Sequence, residues 1–127
     1  MIVLDTHAWV WWTAASARLS VAARRAIDSA EMVGVSTISC WEVAMAVAKG
    51  RLAFDRDPLS WLQEATTQPR VEMIEISPQI AVLSTTLEGL HGDPADRLIV
   101  ASALDRAAPL VTADRTIRRW RGVRSVW

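Results

Sequence analysis

The sequence has 127 residues, of which 51% are hydrophobic, so it excludes a disordered chain and allows one packed domain spanning residues 1–127. Charges interrupt every apolar stretch before the ~18 residues of a membrane span, and Cys40 is the only cysteine, which excludes an intramolecular disulfide. Fourteen basic residues balance fourteen acidic ones, so the chain as a whole is no polycation. The start, Met1-Ile2-Val3-Leu4-Asp5, has no basic region ahead of its apolar run, so no signal peptide is expected and the cytoplasm is the expected compartment.

Ile2 to Leu4 reads as a short buried strand that ends at Asp5, and Ala8 to Ala15 as a short helix. Ser20 can cap a helix that runs to about Glu31. Val33 to Ser36 is a second strand, and Ser39 opens a helix through Lys49 that Gly50 closes. Asp57-Pro58 is an N-cap with proline at the first helical position, followed by a helix to Thr67. Val71 to Ile76 alternates like a half-exposed strand. Ser77-Pro78 and Asp93-Pro94 start two more helices, the first ending near Gly89 and the second near Ala107. Pro109 to Thr112 is a strand, Asp114 to Trp120 a short helix, and Val123 to Val126 a last strand. Strands alternating with helices predict an α/β sandwich around a mostly parallel sheet.

Two carboxylates close strands, Asp5 and Asp114, and open α/β sheets bind ligands beyond the carboxyl ends of their strands. Glu42 and Asp96 each fall in the first turn of a predicted helix, where they would face the same edge. Four crowded carboxylates repel one another until a divalent cation neutralises them, and hard oxygen donors select Mg²⁺ or Mn²⁺. Thr6 and Thr112, beside two of the acids, are placed to orient a carboxylate or a metal-bound water. Structural roles compete. Ser39-Cys40-Trp41-Glu42 has the form of a capping box, Asp93 that of an N-cap, Asp96 complements a helix dipole, and Asp114 can cap the helix that contains Ile117. Asp5 has no evident cap role and needs a partner, for which Arg97 is a candidate. His7, two residues past Asp5, either approaches the site or is structural, and the structural reading is preferred. His7 and His91 lack zinc-ligand spacing with Cys40, and neither a glycine-rich phosphate loop nor a GxSxG elbow occurs.

Thirteen of the fourteen cations are Arg, and five of these lie between Arg115 and Trp127 with no acid among them. They are either a solvated helix face or a surface for phosphate. Of the seven Trp, Trp9, Trp11 and Trp12 lie too close together to all face inward.

Taken together, Asp5-Thr6 after the first strand, Ser39-x-x-Glu42, His91-Gly92-Asp93-Pro94-Ala95-Asp96-Arg97 and Val111-Thr112-Ala113-Asp114 resemble the PIN-domain signature of VapC-like toxins, over the whole chain. The resemblance implies a PIN-like α/β/α sandwich with about five strands and an endoribonuclease that depends on Mg²⁺ or Mn²⁺. It also implies an RNA substrate, a homodimer and a cognate antitoxin. Carried over by position, Asp5, Glu42, Asp96 and Asp114 are the catalytic and metal-binding acids, with Thr6, Asp93 and Thr112 as auxiliary groups. The tryptophan cluster and the helix from Ser20 could form an apolar groove for an antitoxin helix. Two rival readings stand beside this. One is a phosphatase of haloacid dehalogenase type with Asp5 as nucleophile, which would want an Asp where His7 stands. The other is a non-catalytic binding module whose acids cap helices and pair with arginines.

Overall fold

A computed structural model describes residues 1–127. Five strands, β1 (Ile2–Leu4), β2 (Val33–Ser36), β3 (Val71–Ile74), β4 (Leu110–Val111) and β5 (Ser125–Val126), form one sheet in the order β3-β2-β1-β4-β5. All four pairings are parallel, so the mostly parallel sheet expected from the sequence is wholly parallel. Seven helices flank it: α1 (Thr6–Thr13), α2 (Val21–Ser29), α3 (Thr37–Ala48), α4 (Pro58–Thr66), α5 (Pro78–Ser84), α6 (Pro94–Asp105) and α7 (Arg115–Arg119). No helix is long and apolar enough to cross a membrane.

Strand side chains alternate, and the alternation splits the core into two layers. Ile2, Leu4, Val33, Val35 and Val111 pack with Trp9, Ile27 and Val43 on one face. Val3 and Leu110 point the other way, to Ile74, Ile80, Ile99 and Ile117. Each such fully buried aliphatic side chain contributes ~1.5–3 kcal/mol of burial. Gly34 belongs to this second layer, where a Cβ would lie 2.8 Å from Ile74 Cδ1. The missing side chain leaves room for the tip of Ile74 over β2.

Caps set the helix starts. Ser20, Asp57, Ser77 and Asp93 each accept a hydrogen bond from the amide three residues on, at 3.0, 2.9, 3.1 and 3.1 Å, as the sequence predicts. Two helices differ from expectation. Helix α3 starts at Thr37, because Ser36 ends β2 and caps the helix itself, accepting from the Ile38 amide at 3.3 Å. Ser39 and Glu42 therefore lie inside the helix and form no capping box. Helix α5 stops at Ser84 rather than near Gly89, with the Thr85 and Thr86 hydroxyls bonding back to the Val82 and Leu83 carbonyls. Arg97 braces the loop that follows: it donates from Nε to Ser84 O at 2.8 Å and from NH1 to Leu90 O and His91 O. It is not the partner of Asp5.

Candidate metal centre

The chain passes from β1 outward to β2 and β3, then returns to the other side of β1 for β4 and β5. The strand order thus reverses between β1 and β4, and at such a switch point the two following loops diverge and leave a crevice. Asp5 follows β1 and Asp114 follows β4 by three residues, so both acids reach this crevice. The Asp5 amide donates to Val111 O at 2.9 Å, which ties the two strand ends together.

Asp5 is only 6% exposed. Contrary to the sequence reading, it has a cap role: it is the N-cap of α1, its Oδ1 accepting from the Thr6 amide at 2.6 Å. Its Oδ2 accepts from the Thr112 hydroxyl at 2.6 Å, and Thr112 Oγ1 in turn accepts from the Asp114 amide at 3.1 Å. Thr112 therefore couples the two strand-end acids. Asp114 also caps α7, accepting from the amides of Thr116 and Ile117 at 2.8 and 3.1 Å.

Glu42 reaches the same place from the second turn of α3. The Thr6 hydroxyl lies 2.5 Å from Glu42 Oε1 and 2.8 Å from Ser39 Oγ. A carboxylate only accepts, so Thr6 donates to Glu42 and Ser39 donates to Thr6. Asp96 arrives in the first turn of α6, behind its cap Asp93. Oxygens of Asp5, Glu42 and Asp96 lie within 4.8 Å of one another, and so do donor atoms of His91, Asp96 and Asp114. The four acids thus form two overlapping groups with Asp96 in both. None of the four has an Arg or Lys partner, since the chain's salt bridges are Arg56–Glu64, Arg106–Glu72 and His91–Asp96.

The electrostatics follow from that crowding. Burial pushes the Asp5 carboxyl up, against the opposing hydrogen bond from Thr112. Glu42 is raised by burial too, with Asp5 adding to it. Asp96 moves furthest, to about 7, through burial and then repulsion from Asp5, Asp93, Glu42 and Asp114. Carboxyls raised by burial and mutual repulsion mark a site short of positive charge.

The model of the PIN domain matches residues 2–123. The chain belongs to the PIN domain family. It is 39% identical to Ribonuclease VapC22 of Mycobacterium tuberculosis, over 98% of this chain and 95% of that protein. The fold is similar to that in a crystal structure of VapBC2 from Rickettsia felis bound to a promoter DNA fragment, with TM-score 0.71 and 21% identity over 98% and 97% of the two chains. A toxin-antitoxin complex from Klebsiella pneumoniae gives TM-score 0.69 and 20% identity, over 97% and 95%.

The PIN cleft so formed measures about 370 Å³, and the four acids, Asp93, His7, Trp11 and Arg18 line it. His7 is exposed there and packs on Trp11 at 5.6 Å, so it is not the structural histidine the sequence suggested. His91 was missed as a site residue because zinc spacing was the wrong test for it. Its Nδ1 accepts from the Asp93 amide at 3.2 Å, which leaves the Nε2 proton facing Asp96 Oδ2 at 3.4 Å. The usable signal was its place in the His91–Arg97 segment, whose loop Arg97 holds.

The apolar groove also moves from where the sequence put it. Ala23 and Ile27 are fully buried, so α2 spends its apolar face on the core, and Trp9 is buried as well. The groove lies between α1 and α3 instead, lined by Val10, Trp11, Val43, Met45 and Leu52, and it runs up to Thr6 and Glu42.

Proposed function

We propose that this protein is a divalent-metal-dependent endoribonuclease, a single PIN domain acting as the toxin of a toxin–antitoxin pair in the cytoplasm. The observation that carries this reading is the approach of Asp5, Glu42 and Asp96 to within 4.8 Å at the switch point of a PIN sheet, with no Arg or Lys in a salt bridge to any of them. The 39% identity to a protein named Ribonuclease VapC22 supports RNA as the substrate.

The donor set fits Mg²⁺ or Mn²⁺, since all the converging acids offer hard oxygen and their crowding calls for a cation. Asp5, Glu42 and Asp96 would hold the ion, with Asp114 beside them. When bound, it supplies charge stabilisation at the phosphoryl group and activation of water. The protein's own groups do the rest. Thr112 fixes the Asp5 carboxylate, Thr6 and Ser39 fix Glu42, and the Asp93 cap holds the start of α6 so that Asp96 faces the cleft. A carboxylate of the cluster would orient the attacking water and take its proton as the oxygen bonds to phosphorus in line, while the scissile P–O bond breaks with its electron pair on the leaving oxygen, which takes a proton from solvent.

Antitoxin control fits the groove between α1 and α3. An amphipathic helix laid along Val10, Trp11 and Leu52 would end at the acids, where an Arg from the partner supplies the missing positive charge. Homodimer formation is part of the same proposal.

Cleavage of a fluorescent oligoribonucleotide should require added Mg²⁺ or Mn²⁺ and stop in EDTA, and cleavage that persists in EDTA would refute the mechanism. Thr112→Val should weaken Mn²⁺ binding by about 10–100-fold, because it removes the donor that orients Asp5. The Mn²⁺ concentration needed to raise the melting temperature measures this directly.

A further inference from the structure

Charge is unevenly placed along this neutral chain. Residues 1–114 carry nine cations against fourteen acids, whereas residues 115–127 carry five Arg and no acid. Arg115, Arg118 and Arg119 are exposed, and none of the three joins a salt bridge or donates a side-chain hydrogen bond within the protein. A guanidinium left free beside other guanidiniums costs repulsion unless an anion covers it.

These three side chains, with Ser125 and Trp127, line a concavity of about 420 Å³. It adjoins the metal cleft on two sides. Arg115 directly follows Asp114, which lines the cleft. Trp127 packs on Trp11 with ring centroids 5.8 Å apart, and Trp11 also lines the cleft. The step from one depression to the other is therefore made by adjacent residues on one wall and touching indole rings on the other.

We propose that the concavity is a second RNA subsite, which takes the phosphates of an unpaired strand on Arg115, Arg118 and Arg119 and a base against Trp127. The proposal rests on the ribonuclease reading and deepens it by naming single-stranded RNA as what enters the cleft. Planar guanidiniums match phosphate oxygens, and the partly exposed indole of Trp127, which packs on the core, lines the concavity where a base can stack on it. Arg18 is the one Arg that lines the acidic cleft, set against five carboxylates there, so affinity for a polyanion has to come mainly from outside it. The concavity is the concentration of unpaired positive charge next to that cleft. A duplex holds its bases stacked inside and has no face to give Trp127, which is why the subsite favours an unpaired strand.

The test measures binding apart from cleavage. Anisotropy of a labelled, unstructured 12-nucleotide RNA is titrated with the full-length protein in EDTA, and cleavage in Mn²⁺ is assayed separately. Arg118→Gln/Arg119→Gln should weaken binding at least tenfold and reduce the slope of log K against log salt by about 1.4, the loss of two single-strand phosphate contacts. Arg118→Lys/Arg119→Lys should keep the slope. Trp127→Ala should weaken binding at least fivefold, with Trp127→Phe close to wild type. The Mn²⁺-dependent rise in melting temperature should not change in any of them. Unchanged affinity and slope in the double Gln variant would overturn the proposal, whether or not cleavage occurs. Equal, Trp127-dependent binding of a duplex of the same sequence would also overturn it, as would retention of polyglutamate in preference to RNA. Intact RNA binding with no cleavage under any metal would instead count against the ribonuclease reading alone.

Discussion

Asp5→Asn is expected to lower RNA cleavage by at least ~10³-fold without loss of the fold. A bound cation contributes several kcal/mol of charge stabilisation to phosphoryl transfer, and each 1.36 kcal/mol is a factor of ten in rate. Asp5 is the most buried of the acids and the only one joined by hydrogen bonds to both flanking threonines. Asparagine keeps the shape and remains a good N-cap for α1 when its single oxygen takes the Thr6 amide; its NH2 then faces Thr112, whose hydroxyl oxygen can accept in place of donating. What it loses is the charge. Because burial already penalises ionisation of Asp5, the metal-free variant should melt at the same temperature as wild type or higher at neutral pH. Circular dichroism melts alongside the cleavage assay separate the two effects. A variant that cleaves within tenfold of wild type would remove Asp5 from the mechanism, and one that fails to fold would assign it a purely structural role.

The metal-free protein should lose stability as pH rises through the neutral range. Asp96 titrates near 3.8 when unfolded and is pushed up to about 7 in the folded chain. Between these values the folded state keeps a proton that the unfolded state has released, so the unfolded state binds fewer protons and stability falls with pH. The contribution of Asp96 is complete below pH ~4 and gone once pH has passed the folded value. Asp5 and Glu42, both raised, act in the same direction. Asp57, lowered by its bonds to Ser60, acts in the opposite direction but only below its ordinary range, outside this window. In EDTA, the melting temperature should therefore drop by about 5 °C or more from pH 5 to pH 8, as a loss of one to two kcal/mol would give for a domain of this size. Mn²⁺ should reverse the drop most strongly at pH 8, where the acids are ionised. Asp96→Asn should flatten the EDTA profile. A wild-type melting temperature that climbs steadily from pH 5 to 8 in EDTA would show that the cluster carries no such strain.

Much of the architecture was legible before any coordinates, and the reason is local chemistry. Asp57-Pro58, Ser77-Pro78 and Asp93-Pro94 mark helix starts because a capping side chain and a residue without an amide proton both satisfy the first turn, whatever packs around it. The alternation of short apolar strands with helices fixed the class of fold, since a parallel sheet needs a crossover for every pair. Ser39 misled for the same reason. Its spacing to Glu42 is that of a capping box, but Ser36, at the last residue of β2, takes the cap first, and Ser39 turns its hydroxyl to Thr6, thirty-three residues away. No local pattern encodes such a contact.

The amino-acid sequence alone determined which residue types were available: four acids near element ends, two flanking threonines and an Arg-rich C-terminal stretch. Tertiary structure decided what they do together. Only the strand order β3-β2-β1-β4-β5 makes β1 and β4 neighbours and so brings residues 107 positions apart, Asp5 and Thr112, into a 2.6 Å hydrogen bond. The same order seats Trp127, just past β5, against Trp11. Sequence reading follows propensity and spacing along the chain, which act over a few residues. The crevice, the shared position of Asp96 and the path from the acids to the arginines arise from pairing between distant segments, and burial and charge repulsion acquire their size only there.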